Sequence, residues 1–171
     1  RKSAFSTVAL FVVASVVSVP WMSVVLAVGA PAIHDITTDI SDPPRFVEAV
    51  QHVALGRTDY GGEELAKQQR EAYPDIAPIM VTESPDEAFN LALEVARDMG
   101  WKVTAADARE QRIEATDTTF WFGFVDDIVI RIRTEGVGSR IDVRSLSRVG
   151  FGNLGASGSR IRRYRDALTA R

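Results

Sequence analysis

The stretch DIVIRIRTEGVGSRIDVRSLS, residues 127–147, decides the fold of this chain. Apolar and charged residues alternate along both of its halves, with the two-residue period of a strand that buries one face. Two glycines, at positions 136 and 138, interrupt the alternation and predict a turn between two paired strands. The apolar face of this hairpin carries Ile128, Ile130, Ile132, Ile141 and Val143. The opposite face carries Arg131, Arg133, Asp142 and Arg144.

Two more strands are predicted immediately before the hairpin. The runs WKVTAAD, residues 101–107, and RIEATDT, residues 112–118, are rich in strand-forming residues and flank a short polar turn. Because neighbouring strands joined by short turns pair antiparallel, the four runs predict a four-stranded antiparallel meander.

A helix is predicted on each side of this meander. The first covers residues 84–100, where Ser84 and Glu87 form a capping box at the start of an apolar stripe. The second covers roughly residues 154–169. Residues 83–171 are therefore expected to form an α+β domain, a two-layer α/β sandwich of helix, meander and helix.

The N-terminal part is predicted to cross a membrane. Residues 4–30 contain no charged side chain, and about 20 apolar residues in a helix span a bilayer core. The apolar core of a cleaved signal peptide is shorter than this run. We therefore expect a transmembrane helix within residues 1–30. Arg1 and Lys2 precede it, and the positive-inside rule then places the remaining chain on the periplasmic or lumenal side.

The segment between this helix and the domain, residues 31–82, is expected to form an extended tether. Proline, aspartate and threonine dominate its first part, and the prolines near its end disfavour a central strand. One short polar piece, EELAKQQREAY, residues 63–73, is predicted to be helical.

The composition excludes several classes of function. The chain has no cysteine, which excludes disulfides, thiolate catalysis and cysteine-ligated metals, and it has only two histidines. Acids and bases are mixed in both halves, unlike the one-sided basic face of a nucleic-acid-binding protein. No set of residues suited to catalysis, to a metal or to a cofactor can be assembled, so we expect a protein that is not an enzyme and has no cofactor.

Three arginines near a glycine-rich stretch are the first candidate site. Arg144, Arg148 and Arg160 are predicted to converge there, and guanidinium groups form bidentate pairs with carboxylates and phosphates. Two hypotheses follow. The arginines pair internally with the carboxylates of Asp117, Asp126, Asp127 and Asp142, or they bind an external anion such as a lipid headgroup or a carboxylate of a partner. The glycines lack the lysine and hydroxyl residue of a nucleotide-binding loop.

The stretch TTFWFGFVDD, residues 118–127, supplies the remaining candidates. Trp121 and Phe122 belong to an aromatic cluster that is either part of the core or an exposed patch for a protein or membrane contact. Asp126 and Asp127 are adjacent on a strand and point to opposite faces, so they cannot act together as a general acid and base. Pairing with arginine is the expected role of both.

Several of these motifs occur together in a known family. The stretches IHDITTDISDPPRF, IEATDTTFWFGFVDD and DVRSLSRVGFGNLGASGSRI resemble, in this order, the domain of unknown function 1499 family of bacterial and plastid proteins. The resemblance covers about residues 31–170. It implies a membrane-anchored or lumenal protein, with relatives in photosynthetic bacteria and chloroplasts, and it implies no catalytic residues.

Two functions are therefore expected from the sequence. The first is a non-catalytic accessory subunit, anchored in the lipid bilayer, that docks on an integral membrane protein complex of the photosynthetic or respiratory kind. The alternative is a binding module for an anionic small molecule or lipid headgroup at Arg144, Arg148 and Arg160. An enzyme would require a pocket in which the pKa of Asp126 or Asp127 is strongly raised.

Overall fold

The computed structural model describes residues 33–49, 58–118, 123–148 and 155–171. These ranges contain six strands and three helices, named here in chain order. The strands are β1 (Asp35–Thr37), β2 (Ile79–Val81), β3 (Lys102–Asp107), β4 (Arg112–Thr118), β5 (Val125–Glu135) and β6 (Gly138–Ser147). The helices are α1 (Gly62–Ala72), α2 (Pro85–Asp98) and α3 (Ala156–Thr169).

All six strands form one antiparallel sheet, which confirms the α+β class. The strand order is β1-β6-β5-β4-β3, and β2 pairs with β6 beside β1. The predicted hairpin is confirmed, because β5 and β6 pair without a break from Asp126 opposite Ser147 to Glu135 opposite Gly138. The predicted meander is therefore the centre of a larger sheet.

The sheet has two strands more than the predicted four, because β1 and β2 lie in residues 31–82, which were predicted to form a tether. β1 pairs with Arg144–Leu146, and β2 pairs with Ser139–Ile141, so both occupy the same edge of β6. Thr38 bridges the space between them, since its backbone N–H donates to the Val143 carbonyl and its hydroxyl accepts from the Val143 N–H, each at 2.9 Å. Strands of three residues are too short for an alternation to reveal them.

The helices α2 and α3 cover the isoleucine face of the sheet. The predicted capping box of α2 is present, with the Ser84 N–H donating to the Glu87 carboxylate at 3.1 Å. In the core, the rings of Trp101 and Tyr164 stack 5.0 Å apart, and the Tyr164 hydroxyl donates to the Ala92 carbonyl at 2.9 Å. The core therefore buries two large aromatic side chains and satisfies the hydroxyl of Tyr164.

The opposite face of the sheet is covered as well, by the chain that follows β1. Phe46 and Ala49 pack on Val129 and Leu146 in a second, smaller apolar cluster. The sheet therefore lies between two helices on one side and an irregular segment, residues 39–49, on the other. This segment is named the strap below.

The described ranges contain no helix long and apolar enough to cross a membrane. The predicted transmembrane helix, residues 1–30, lies outside those ranges.

Candidate functional site

Arg144 lies on the strap side of the sheet and is 2% exposed. Its Nε and Nη2 donate to the two carboxylate oxygens of Asp35, at 2.9 and 2.8 Å. Two further bonds reach the carbonyl oxygens of Pro44, at 3.1 Å, and Thr58, at 2.8 Å. The guanidinium is thus neutralised by one buried carboxylate and ties three separate segments of the chain to β6.

Two aromatic rings complete the surroundings of Arg144. Its guanidinium carbon lies 5.1 Å from the ring centre of Phe46 and 5.6 Å from that of Tyr60, within cation–π range. Burial, together with the charge of Asp35, raises the pKa of Tyr60 to about 12. Its phenol is therefore neutral, and the hydroxyl donates to the Gln69 amide oxygen at 3.3 Å.

Arg148 pairs with Asp127 just beyond the end of β6. Its Nε and Nη2 donate to the two oxygens of Asp127, each at 2.8 Å. These hydrogen bonds raise the pKa of the Arg148 guanidinium above its usual value, against the opposing effect of burial. Asp127 is 1% exposed, so this pair satisfies a carboxylate that would otherwise be buried without a partner.

Arg160 lies on the other side of the sheet, on α3, and does not converge with Arg144 and Arg148. Its Nε donates to Asp117 at 2.7 Å, and its Nη1 donates to the Ser145 hydroxyl at 2.9 Å. The same Nη1 lies 2.7 Å from Asp126 in an ion pair between two buried side chains. The predicted convergence of the three arginines was wrong, because α3 packs on the face of the sheet that carries Ser145, whereas Arg144 extends from the opposite face of β6.

All three arginines are thus paired with carboxylates of the chain itself, as the internal hypothesis expected. Asp126 and Asp127 lie on opposite faces of β5, and each contacts a different arginine. The partner of Arg144, Asp35, was missed by sequence reasoning. Asp35 is distant along the chain and belongs to a strand that shows no period.

A second charged cluster joins the strap to the outer face of β5 and β6. Every arginine in it contacts Asp142 and Asp39, at 2.6 to 3.2 Å. Asp42 adds bonds to two of them, at 3.0 and 3.1 Å. The members are Arg131, Arg133, Arg140, Asp39, Asp42 and Asp142. The alternation of residues 127–147 predicted the charged face of the hairpin, but the carboxylates of the strap that cover it were not predicted.

Glu114 fixes the other end of the strap. Its carboxylate accepts the backbone N–H groups of Val47, Glu48 and Ala49, at 2.7, 3.0 and 3.0 Å. The side chain is 1% exposed, and Arg112 Nε lies 3.3 Å away. A carboxylate that accepts successive backbone N–H groups acts as an anchor, and it was missed because Glu114 occupies an ordinary strand position in the sequence.

One polar cavity of about 400 Å³ opens beside Arg144. Its lining includes the carboxylates of Asp42 and Asp59 and the guanidinium of Arg45. Asp35 already neutralises Arg144, and Asp42 is paired with Arg131 and Arg133, so the remaining charges of the lining, Arg45 and Asp59, oppose one another and leave no net attraction for an anion. The anion-binding alternative therefore gains no support from its geometry.

Two points remain, the aromatic patch and the possibility of a metal site. Trp121 and Phe122 lie outside the described residues, so both interpretations of the aromatic patch stay open. Within the described ranges, no group of three histidine, aspartate or glutamate side chains could hold a metal ion.

The comparisons with known proteins agree with the resemblance seen in the sequence. The family model described as "Protein of unknown function (DUF1499)" matches residues 35–168. The match begins with the first residue of β1 and ends within α3, so it covers the whole sheet and its helices. The comparison with curated proteins gives no match. The chain belongs to the DUF1499 family.

Proposed function

We propose that this protein is a non-catalytic accessory subunit that is anchored in a membrane by residues 4–30 and docks on an integral membrane protein complex. The observation that carries the proposal is the pairing of the buried charges. Asp35, Asp126 and Asp127 each hold an arginine, while Asp39 and Asp142 share three. These paired charges hold segments of the chain together, which supports a structural role for them.

Catalysis by such groups would require a different environment. A general base or acid works when its pKa is moved toward neutrality and its proton faces a substrate. In the charged cluster the pKa of Asp39 is instead lowered: burial acts to raise it, but the Asp42 N–H and the charge of Arg140 outweigh that effect. An ionised carboxylate with a lowered pKa is a weak base, and Asp39 instead holds the strap to β5 and β6 through its three arginines.

The sequence of the N-terminal part supports the location. A run of 27 residues without a charge, 4–30, is long enough to span a bilayer with some tilt. Small residues within it, including Ala14 and Ser18, would allow another helix to approach closely. A helix with these small residues can pack against the helices of a larger membrane complex.

Native fractionation of solubilised membranes, with mass spectrometry of each fraction, tests the proposal. The proposal predicts that the chain migrates at a fixed ratio with one membrane complex. Val13→Lys should abolish this migration, because a charge near the centre of a spanning helix costs about 2.5–3.5 kcal/mol. Thr169→Lys, on the exposed end of α3, is the matched control and should migrate as the parent does. Migration of the parent alone would refute the accessory role.

A further inference from the structure

The polar cavity beside Arg144 lies between two separate segments of the chain. Its lining lies wholly within the described ranges and consists of Ser41, Asp42, Pro43, Arg45, Thr58, Asp59, Tyr60 and Arg144. The first four residues belong to the strap, and the next three lie just before α1. Arg144 is bonded to both segments, because its guanidinium donates to the carbonyl oxygens of Pro44 and Thr58. The two sides of the cavity are therefore tied to the same buried side chain.

Two side chains of opposite charge remain unpaired in this lining. Arg45, on the strap, and Asp59, on the other segment, are exposed, and neither forms an ion pair or a side-chain hydrogen bond with another described residue. The other charged members of the lining, Arg144 and Asp42, are neutralised by ion pairs. The cavity therefore has one free positive group on one side and one free negative group on the other.

Arg144 adds a hydrogen-bond donor that is fixed in place. A guanidinium has five N–H groups, and the bonds of Arg144 to Asp35, Pro44 and Thr58 use four of them. One N–H of Nη1 is left without an acceptor among the described residues. Because the side chain is 2% exposed and held by four bonds, using this donor costs a ligand little ordering of the protein.

This combination of groups selects against a simple ion. An anion is attracted by Arg45 but repelled by Asp59, and the reverse holds for a cation. A molecule that carries both charges is attracted by both side chains. Guanidinium groups bind carboxylates and phosphates, while a carboxylate accepts the N–H groups of a primary ammonium. The cavity volume of about 400 Å³ is within the range of small-molecule sites, about 300–1,000 Å³.

We propose that this cavity binds a small zwitterion that carries a primary ammonium and an anionic group. Arg45 and the remaining N–H of Arg144 bind the anionic group, and Asp59 binds the ammonium. The site differs from the anion-binding alternative because it requires the carboxylate of Asp59 as well as the arginines. It uses described residues alone, so it is independent of the anchor in residues 4–30. Two sources present this chemistry, the headgroup of phosphatidylethanolamine and free amino acids or short peptides.

Two-dimensional NMR of the full chain in a non-ionic maltoside detergent tests the site. The zwitterions are sn-glycero-3-phosphoethanolamine, for the headgroup, and glycylglycine, for the free source. The half-molecules sn-glycerol 3-phosphate and ethanolamine carry one charge type each. At least one zwitterion should shift the amide signals of residues 41–45 and 58–60 saturably. Each half-molecule should bind about tenfold more weakly or less, because it lacks one charged hydrogen-bond partner.

Single substitutions then separate the two charges. Asp59→Asn should weaken binding of the zwitterion by about tenfold and strengthen binding of sn-glycerol 3-phosphate, since Arg45 is no longer opposed. Arg45→Gln should weaken the zwitterion as much and favour ethanolamine instead. Arg163→Gln removes an exposed, unpaired arginine of α3 and is the matched control, which should bind as the parent does.

Three results would overturn the proposal. The first is that neither zwitterion produces saturable shifts in the parent. The second is that a half-molecule binds the parent as tightly as the zwitterion does. The third is that Asp59→Asn binds sn-glycerol 3-phosphate no better than the parent, although circular dichroism shows that the variant is folded. Binding of one zwitterion without the other supports the site and identifies its source.

Discussion

Removal of the Asp35 carboxylate is the sharpest perturbation of this fold. Asp35→Asn keeps the shape of the side chain but leaves the Arg144 guanidinium, which is 2% exposed, without its counter-charge. Breaking a buried ion pair in this way costs about 3–5 kcal/mol. Since domains of this size are stable by about 5–15 kcal/mol, the variant should lose a large share of its free energy of unfolding.

The assay is urea-induced unfolding of the full chain in detergent, followed by circular dichroism. Asp75→Asn is the matched control, because Asp75 pairs with Arg162 at the surface, where both side chains are more than a third exposed. Exposed pairs contribute about 0–1 kcal/mol. An Asp35→Asn variant that loses no more stability than this control would refute the idea that the buried pair holds β1 on the sheet.

A second substitution separates the buried charge from the lost geometry. In the double variant Asp35→Asn with Arg144→Met, the unpaired guanidinium is gone and a shorter, unbranched apolar side chain takes its place. Stability should recover in part relative to Asp35→Asn alone. A double variant no more stable than Asp35→Asn would show that the hydrogen bonds of Arg144 to Pro44 and Thr58 matter more than its charge.

Three further predictions concern the strap, the helix packing and acid stability. Glu114→Gln should lower the free energy of unfolding by about 1–3 kcal/mol and speed amide exchange at residues 47–49, because the amide keeps one acceptor oxygen and turns an NH2 donor toward the backbone N–H groups that the other oxygen accepted. Unchanged exchange would contradict the anchor. Gly158→Ala should lower Tm and the free energy of unfolding, the latter by about 1–3 kcal/mol, because a Cβ there would lie 2.6 Å from the Tyr73 ring. Ser159→Ala, on the exposed side of α3, is the control and should change Tm little. The pKa of Asp39 is lower in the folded protein than its unfolded value, near 3.8, so ionised Asp39 stabilises the fold. This contribution is complete above pH 3.8 and is lost as the pH falls through the lower, folded pKa. The urea midpoint of Asp39→Asn should therefore vary less below about pH 4 than that of the parent; equal slopes would contradict the role of Asp39.

Local patterns predicted the centre of the fold because local physics decides it. Alternation in residues 127–147 determines which side chains face the helices, and the capping box at Ser84 determines where α2 begins. β1 and β2 could not be predicted in this way. Each has three residues, and its place depends on pairing with β6, about 60 to 110 positions further along the chain.

The sequence predicted which residues belong to the candidate site better than it predicted how they are arranged in space. The types and strand positions of Asp126 and Asp127 were sufficient to predict pairing with arginine on opposite faces. The side on which Arg160 lies depends on how α3 docks on the sheet, which no local period encodes. Glu114 was missed for a related reason, since its three partners are backbone groups 65 to 67 positions away.

Amine cross-linking of intact membranes tests the central claim most directly. Beyond Lys2, the chain has only Lys67, on α1, and Lys102, at the start of β3, so few links are possible and each reports a defined surface. An accessory subunit predicts that these lysines link repeatedly to subunits of one membrane protein complex, at sites that a single docked position can satisfy. Links scattered over unrelated abundant proteins, or no links to any membrane complex, would contradict the account.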